Sequence, residues 1–267
     1  MGVINLTPDS FSDGGRFFDP AAAVAEARRQ VARGADVLDL GAQSTRPGAE
    51  EVGAEAEIRR LLPALHAIRA AAPDAVLSVD TFYAAVAEAA LAAGADWIND
   101  VSGGRRDPAI LPMVAAAGCP YVLMHSRGDS RTMDQQAHYG EVASEVRQEL
   151  LRATERALAS GVRVGQLLWD PGLGFAKTVE QNLALLASLE ALVAEGFPLL
   201  VGPSRKRFIG AVLSEPRPRA RLWGTAAVCC RAIAAGAAVL RVHDVGPIVQ
   251  TARMADALWR NATKFPR

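Results

Sequence analysis

The sequence is sparing with cysteine, lysine, asparagine and aromatic residues, and it carries no net charge. Its three cysteines, Cys119, Cys229 and Cys230, have no CxxC or Cys/His spacing and two are adjacent, which argues against a disulfide framework or a zinc site. With 29 basic against 29 acidic residues and no block of like charge, the electrostatic footprint of a nucleic-acid binder is missing. Long hydrophobic runs are missing too. The most apolar segment, GTAAVCCRAIAAGAAVL, is broken by Arg231 and Gly236, and the opening MGVINLTPDS has neither a basic leader nor a small-residue cleavage site. Membrane spanning and secretion are not expected, and a reducing cytoplasm is. Lysine stands only at 177, 206 and 264 and asparagine only at 5, 99, 182 and 261, so these positions are expected to need the residue they have.

What the chain does have is apolar content, 50% of 267 residues, enough for one large core and a single domain over residues 1–267. Short β-branched or leucine-rich runs alternate with alanine-rich amphipathic segments, the mark of repeated βα units around a parallel sheet. The pattern predicts eight strands, at 2–6, 36–40, 75–79, 96–99, 121–124, 166–170, 198–202 and 238–242. Helices are expected at 20–33, 54–72, 82–93, 108–117, 139–160, 179–195, 223–235 and 247–262. Pro63 predicts a kink or a two-part helix in the second. Gly34, Gly94 and Gly236 read as helix C-terminal caps. The fold class is α/β, a single (β/α)8 barrel with its active site at the C-terminal ends of the strands.

Each predicted strand ends in a polar residue: Asn5, Asp39, Asp80, Asn99, His125, Asp170, Ser204 and His243. Such residues commonly cap helices, but eight of them converging on one rim would hold unpaired polar atoms unless a ligand satisfied them. TPDSFSDGG after strand 1 and STRPG after strand 2 read as loops able to close over a substrate. Arg46, Arg241 and His243 form a candidate phosphate clamp, the last two lying two residues apart on one strand face. These groups suit a phosphate-bearing, polar heterocyclic or sugar-like substrate.

NLTPDSFSDGG (5–15), DLGAQSTRPGA (39–49), SVDT (78–81), INDVSGG (98–104), MH (124–125), DPGLGFAKT (170–178), GPSRKRFIG (202–210) and RVHDVG (241–246) closely resemble the dihydropteroate synthase family, in that family's order and over nearly the whole chain. The resemblance implies condensation of 6-hydroxymethyl-7,8-dihydropterin pyrophosphate with p-aminobenzoate, by dissociative loss of pyrophosphate. It implies a pterin pocket of Asp80, Asn99, Asp170, Phe175 and Lys206, and a pyrophosphate site of Asn5, Thr45, Arg46, Arg241 and His243. Mg2+ would be held by Asn5 and the substrate's phosphates. Phe11, Thr45, Pro47, Ser204 and Arg207 would receive p-aminobenzoate, and Asp9, Asp13, Asp39, Arg46 and Lys206 would serve the chemistry. A homodimer and inhibition by sulfonamides are also implied.

The chain departs from the family's usual run at Ala42 and Gln43, at Arg207, where some members have Ser, and at HSRGDS (125–130). Other readings are a methyltetrahydrofolate methyltransferase-like barrel and a silent pterin-binding paralogue. Several residues have plainer expectations. His66 and His138 are read as solvated, His125 as a satisfied core residue, and Asp39 as ordering loop 2 or catalysing. Asp100 and Asp244 are read as helix caps, Lys177 as a loop residue, and Trp97, Trp223 and Trp259 as packing residues, with Trp259 also suited to a dimer surface.

Overall fold

The computed structural model describes residues 1–6, 19–44, 48–49 and 51–260; Asp9, Phe11, Asp13, Thr45, Arg46 and Pro47 lie outside them. Strands β1 (Gly2–Asn5), β2 (Val37–Gly41), β3 (Val76–Asp80), β4 (Trp97–Asp100), β5 (Tyr121–Met124) and β6 (Leu167–Asp170) pair in parallel in chain order. β7 (Leu200–Val201) and β8 (Val239–Leu240) pair with each other. Parallel bridges at Trp169–Leu199 and Gly2–Val242 join the two sets, with Trp169 N–H donating to Pro198 O and Val3 N–H to Val242 O, both at 2.9 Å. The ring therefore closes, and the expected (β/α)8 barrel is present.

Side chains alternate across each strand. Leu38, Leu40, Leu77, Val79, Ile98, Leu123 and Trp169 point outward into one large cluster with the helices. Val37, Val122, Leu168 and Leu200 form a separate plug inside the ring, against which Val76, Trp97 and Val239 pack. The same inward face, continued towards the carboxyl ends, carries Asp39, Asp80, Asn99, Asp170 and Arg241. The apolar plug closes one end of the barrel and the polar residues open at the other.

Ten helices surround the barrel among the described residues: α1 (Pro20–Ala32), α2 (Ala54–Ala71), α3 (Ala84–Ala92), α4 (Ile110–Ala117), α5 (Val142–Ala159), α6 (Val179–Ala187), α7 (Leu189–Val193), α8 (Arg207–Leu213), α9 (Leu222–Ala234) and α10 (Val245–Trp259). Asp19 caps α1 ahead of Pro20, and Thr178 with Gln181 forms a capping box at α6. Gly34, Gly94 and Gly236 follow helix ends at φ of 92°, 97° and 100°, as expected of caps. No described helix is long and apolar enough to cross a membrane.

Several expectations need correction. α2 runs unbroken through Pro63. Leu61, Leu65 and Ile68 are fully buried, and at about 1.5–3 kcal/mol for each such side chain their burial exceeds the roughly 3 kcal/mol that an interior proline costs. The helix expected at 179–195 is two, because Ser188 ends α6 and begins α7. α8 lay outside the expected helices, being too short for a periodic signal. Trp223 is no packing residue: it is 78% exposed. Asp100 caps no helix; it lies buried in β4 and accepts from Tyr121 Oη and from the N–H groups of Ser102 and Gly104 at 2.6–2.8 Å. Asp244 precedes α10 without capping it.

Candidate active site

The strand register sets the centre of the site. Gly41 lies beside Asp80, and Asp80 beside Asn99, and the residue facing inward at 41 has no side chain. That space is taken by the Asp80 side chain, and Arg241 reaches both carboxylates: its Nε donates to Asp39 Oδ2 at 2.6 Å and its Nη2 donates to Asp80 Oδ2 at 2.7 Å. Asn99 Nδ2 donates to the same Asp39 oxygen at 3.1 Å. Asp39 is wholly buried and its other oxygen has no partner among the described residues. Two carboxylates thus share one guanidinium. Burial pushes the Asp80 carboxyl up to about 7, with Arg241 pulling against it and Asp39 adding to it. Burial lowers Arg241, but Asp39 and Asp80 hold it above its ordinary value. Its Nη1 has no protein acceptor among the described residues and is available to a ligand.

Across the ring, Asp170 at the end of β6 accepts from Gly172 N–H at 2.7 Å. Burial raises its carboxyl above the usual range, against Gly172, Lys206 and Arg241. Lys206 Nζ sits 4.1 Å from the centroid of the Phe175 ring, a cation–π contact. Burial brings its amine down to about 8. An acceptor, a donor and an aromatic face therefore lie together, the set that a planar heterocycle with amide and amine edges requires.

The loops after β7 and β8 complete the opposite wall. Ser204 Oγ accepts from His243 N–H at 3.1 Å and lies 2.9 Å from His243 Nδ1. The hydroxyl still has its hydrogen to donate to Nδ1, and that arrangement leaves the ring proton on Nε2. Burial lowers His243 to about 3, with Arg205 and Arg241 adding to it, so the ring is a neutral donor rather than a cationic clamp. Arg205 pairs with Asp244 through two bonds of 2.6 and 2.9 Å. That ion pair is what Asp244 makes in place of a helix cap. Arg221 donates to the carbonyls of Arg205, Glu215 and Pro216 at 2.6–2.9 Å and so shapes the loop bearing Lys206. Nothing in the sequence singles out Arg221, since its partners are all backbone oxygens. Arg207 is exposed and paired with exposed Asp134 at 2.7 Å, a contact weak enough to exchange for a ligand.

Asn5, Asp80, Phe175, Ser204, Lys206, Arg207, Arg241 and His243 line one cleft of about 370 Å³. Asp39, Asn99 and Asp170 are buried and are not among the residues that line it. HSRGDS, which departs from the family's usual run, has a place here: Ser130 Oγ donates to Ala49 O at 2.7 Å and Ser130 O accepts from Gly48 N–H at 2.8 Å, tying down the far end of loop 2.

His125 and His243 are both held neutral, burial lowering the first to about 4 and the second to about 3. Each binds fewer protons folded than unfolded below about pH 6.5, so its stability contribution is present above that value and is lost as pH falls towards the folded pKa. Proton NMR of the ring C2–H signals is expected to show neither titrating between pH 8 and 6. A midpoint near neutrality for either would contradict the geometry.

A family model described as pterin binding enzyme matches residues 1–243. The chain belongs to this family. It is 50% identical over 260 residues, 97% of this chain and 90% of the relative, to the dihydropteroate synthase of Synechocystis sp.. Among solved structures, the dihydropteroate synthase of Xanthomonas albilineans with 4-aminobenzoic acid is 42% identical, with a TM-score of 0.90 over 99% of this chain and 93% of that one. That of Yersinia pestis in a sulfonamide drug complex is 38% identical, with a TM-score of 0.91 over 98% and 94%. Within this pterin-binding family, the polar end of the barrel is the place to seek the pterin.

Proposed function

We infer that the chain is a dihydropteroate synthase: it joins 6-hydroxymethyl-7,8-dihydropterin pyrophosphate to p-aminobenzoate, giving 7,8-dihydropteroate and pyrophosphate for folate synthesis. The observation that carries this reading is the cleft in which Asp80, Lys206, Phe175, Arg241 and His243 meet, on a chain half identical to a dihydropteroate synthase. Asp170 receives two hydrogen bonds from the aminopyrimidine edge, Asn99 and Asp80 meet the rest of the ring, and Phe175 with Lys206 packs against it. Asn5, Thr45, Arg46, Nη1 of Arg241 and Nε2 of His243 face the pyrophosphate.

The C–O bond to the methylene carbon breaks with its electron pair leaving on pyrophosphate, and the arylamine nitrogen then forms the C–N bond and releases a proton. No side-chain nucleophile takes part. Preorganised donors stabilise the charge developing on the departing oxygen. Phe11, Thr45, Pro47, Ser204 and Arg207 receive p-aminobenzoate, while Asp9, Asp13 and Asp39 complete the site and keep water from the cation.

Asn5 offers one amide oxygen at the cleft, and no cluster of three or more His, Cys, Asp or Glu able to hold a metal occurs among the described residues. That donor set suits Mg2+, which keeps its waters and takes substrate phosphates as ligands. When bound, the ion neutralises charge on the pyrophosphate. The reading includes one domain over residues 1–267 in the cytoplasm, inhibition by sulfonamides at the p-aminobenzoate site, and a homodimer, with Met254, Leu258 and Trp259 exposed on α10 as apolar surface for a second copy.

A coupled assay with the pterin pyrophosphate, p-aminobenzoate and Mg2+ tests the reaction through pyrophosphate release. Pterin binding with no release, whether or not p-aminobenzoate is present, overturns it. In the same assay Arg46→Ala is expected to slow turnover about 100-fold or more while sparing pterin affinity, as for the loss of one preorganised donor. Equal losses of binding and turnover would show that Arg46 does not act on the leaving group.

A further inference from the structure

Lys177 is not the peripheral loop residue that its sequence context suggests. Its side chain is buried, and its Nζ lies 3.0 Å from His125 Nδ1 and donates to the carbonyl oxygens of Gly172 and Phe175, both at 3.1 Å. Burial lowers the amine to about 7, with Asp170 and Glu149 pulling the other way; it is the charged form, with three N–H bonds, that finds an acceptor for each of them here. On the far side of the ring, His125 Nε2 lies 3.0 Å from Glu149 Oε2 on α5, and Arg127 bonds the same carboxylate. The polarity of the chain follows from these partners. The lysine donates to Nδ1, so the ring proton is on Nε2 and is donated to Glu149.

The segment gripped by Lys177 is the turn at 171–176 that leaves β6. Gly172 has φ +66°, and a Cβ there would fall 1.8 Å from His125 O, so the turn passes directly against the end of β5. Ala176 also has a left-handed φ of 48°. Such backbone persists where surrounding contacts hold it, and two carbonyls of this turn converge on the one amine. Asp170 stands at the start of the turn, and Phe175 near its end carries the ring that meets Lys206.

We propose that Lys177 is a positioning residue of the pterin pocket: braced by His125 and Glu149, its ammonium fixes the 171–176 turn so that Asp170 and Phe175 present their acceptor and ring face at the spacing a pterin needs. The inference rests on reading the cleft as a pterin site. It adds a buried chain, running inward from α5, on which the pterin wall of the cleft depends and the pyrophosphate wall does not.

Lys177→Met keeps the side-chain volume and removes the donors; Lys177→Ala opens room for propylamine in place of the missing atoms. Calorimetric affinities for the pterin pyrophosphate and for inorganic pyrophosphate with Mg2+ separate the two walls. Both variants are expected to bind the pterin pyrophosphate about 10-fold or more weakly, as for buried carbonyls left without donors, and inorganic pyrophosphate nearly as wild type does. Propylamine is expected to restore pterin affinity to Lys177→Ala and not to Lys177→Met. Unchanged pterin affinity, or equal weakening of both ligands without rescue, overturns the role. Should neither variant fold, Glu149→Gln, at the part-exposed end of the chain, is expected to show a smaller loss with the same selectivity, and no loss there overturns the proposal. Wild-type protein that binds the pterin but releases no pyrophosphate refutes the reaction and leaves these affinities to decide the clamp. Wild type that binds no pterin refutes both.

Discussion

Arg241→Met is expected to lose stability and turnover together, and the losses are separable. Among the described residues the guanidinium is the only cation bonded to Asp39, which is wholly buried, and it also bonds Asp80. Removing one partner of such a buried group costs about 3–5 kcal/mol, because the carboxylates are left facing each other in a dry interior. Urea unfolding measures this loss at neutral pH. Its sign with pH is also set: burial already raises the Asp80 carboxyl to about 7 and Arg241 is the cation that pulls it down, so without Arg241 the folded state binds more protons than the unfolded and stability should recover as pH falls towards 4. Pyrophosphate release should drop by about 100-fold or more, on the scale of losing one preorganised donor. Asp39→Asn added to Arg241→Met removes one of the stranded charges and should restore much of the stability but none of the turnover. A single variant as stable as wild type would mean that the triad does not hold the barrel mouth together, and a double variant that regains activity would remove Arg241 from the pyrophosphate site.

Asp170→Ala is expected to abolish useful pterin binding while leaving the fold intact. Two hydrogen bonds to a charged acceptor contribute about 1.5–3 kcal/mol each, so their joint loss corresponds to roughly 100-fold to 10,000-fold in affinity. Folding should tolerate the change. Burial raises the Asp170 carboxyl, and a group raised in this way contributes stability below its unfolded value of about 3.9 and loses it as pH rises, so little is forfeited at neutral pH. Calorimetry with the pterin pyrophosphate decides the matter, with a thermal melt as the check on folding. Affinity within threefold of wild type would place the aminopyrimidine edge elsewhere. Asp170 and Lys177 sit at opposite ends of one turn, so their effects on pterin affinity should not be additive.

Much of this was legible from residue order because barrels translate order into position. Once the alternation of short apolar runs and amphipathic segments defines eight βα units, the residue ending each strand is on the rim. Asn5, Asp80, Asn99 and Asp170 could thus be placed before any coordinates. Boundaries failed where local signals are weakest, as at β7, where only two residues pair and Pro198 has no N–H to donate. Arg241 reads from the sequence as one member of a phosphate clamp with Arg46 and His243. Its commitment to Asp39 and Asp80, more than 160 residues away in sequence, depends on strand register that no local pattern encodes. Asp244 and Asp100 misled for the same reason, since aspartate before a helix reads as a cap until a distant arginine or tyrosine claims it.

By itself the sequence determined the class of fold, the end of the barrel that is polar and the chemical kind of group on each strand, because these follow from periodicity and from the short reach of the chain between neighbouring elements. The tertiary structure alone decided which of those groups are already paired. It turned Arg241 from a clamp into a keystone that keeps Nη1 for a ligand, held the ring of His243, another member of that clamp, neutral, and made Lys177, read as a loop residue, the fixed centre of a buried chain. The physical reason is that hydrogen-bond partners and burial are set by approaches of a few ångströms between segments far apart in sequence, and burial then fixes the charge each group carries.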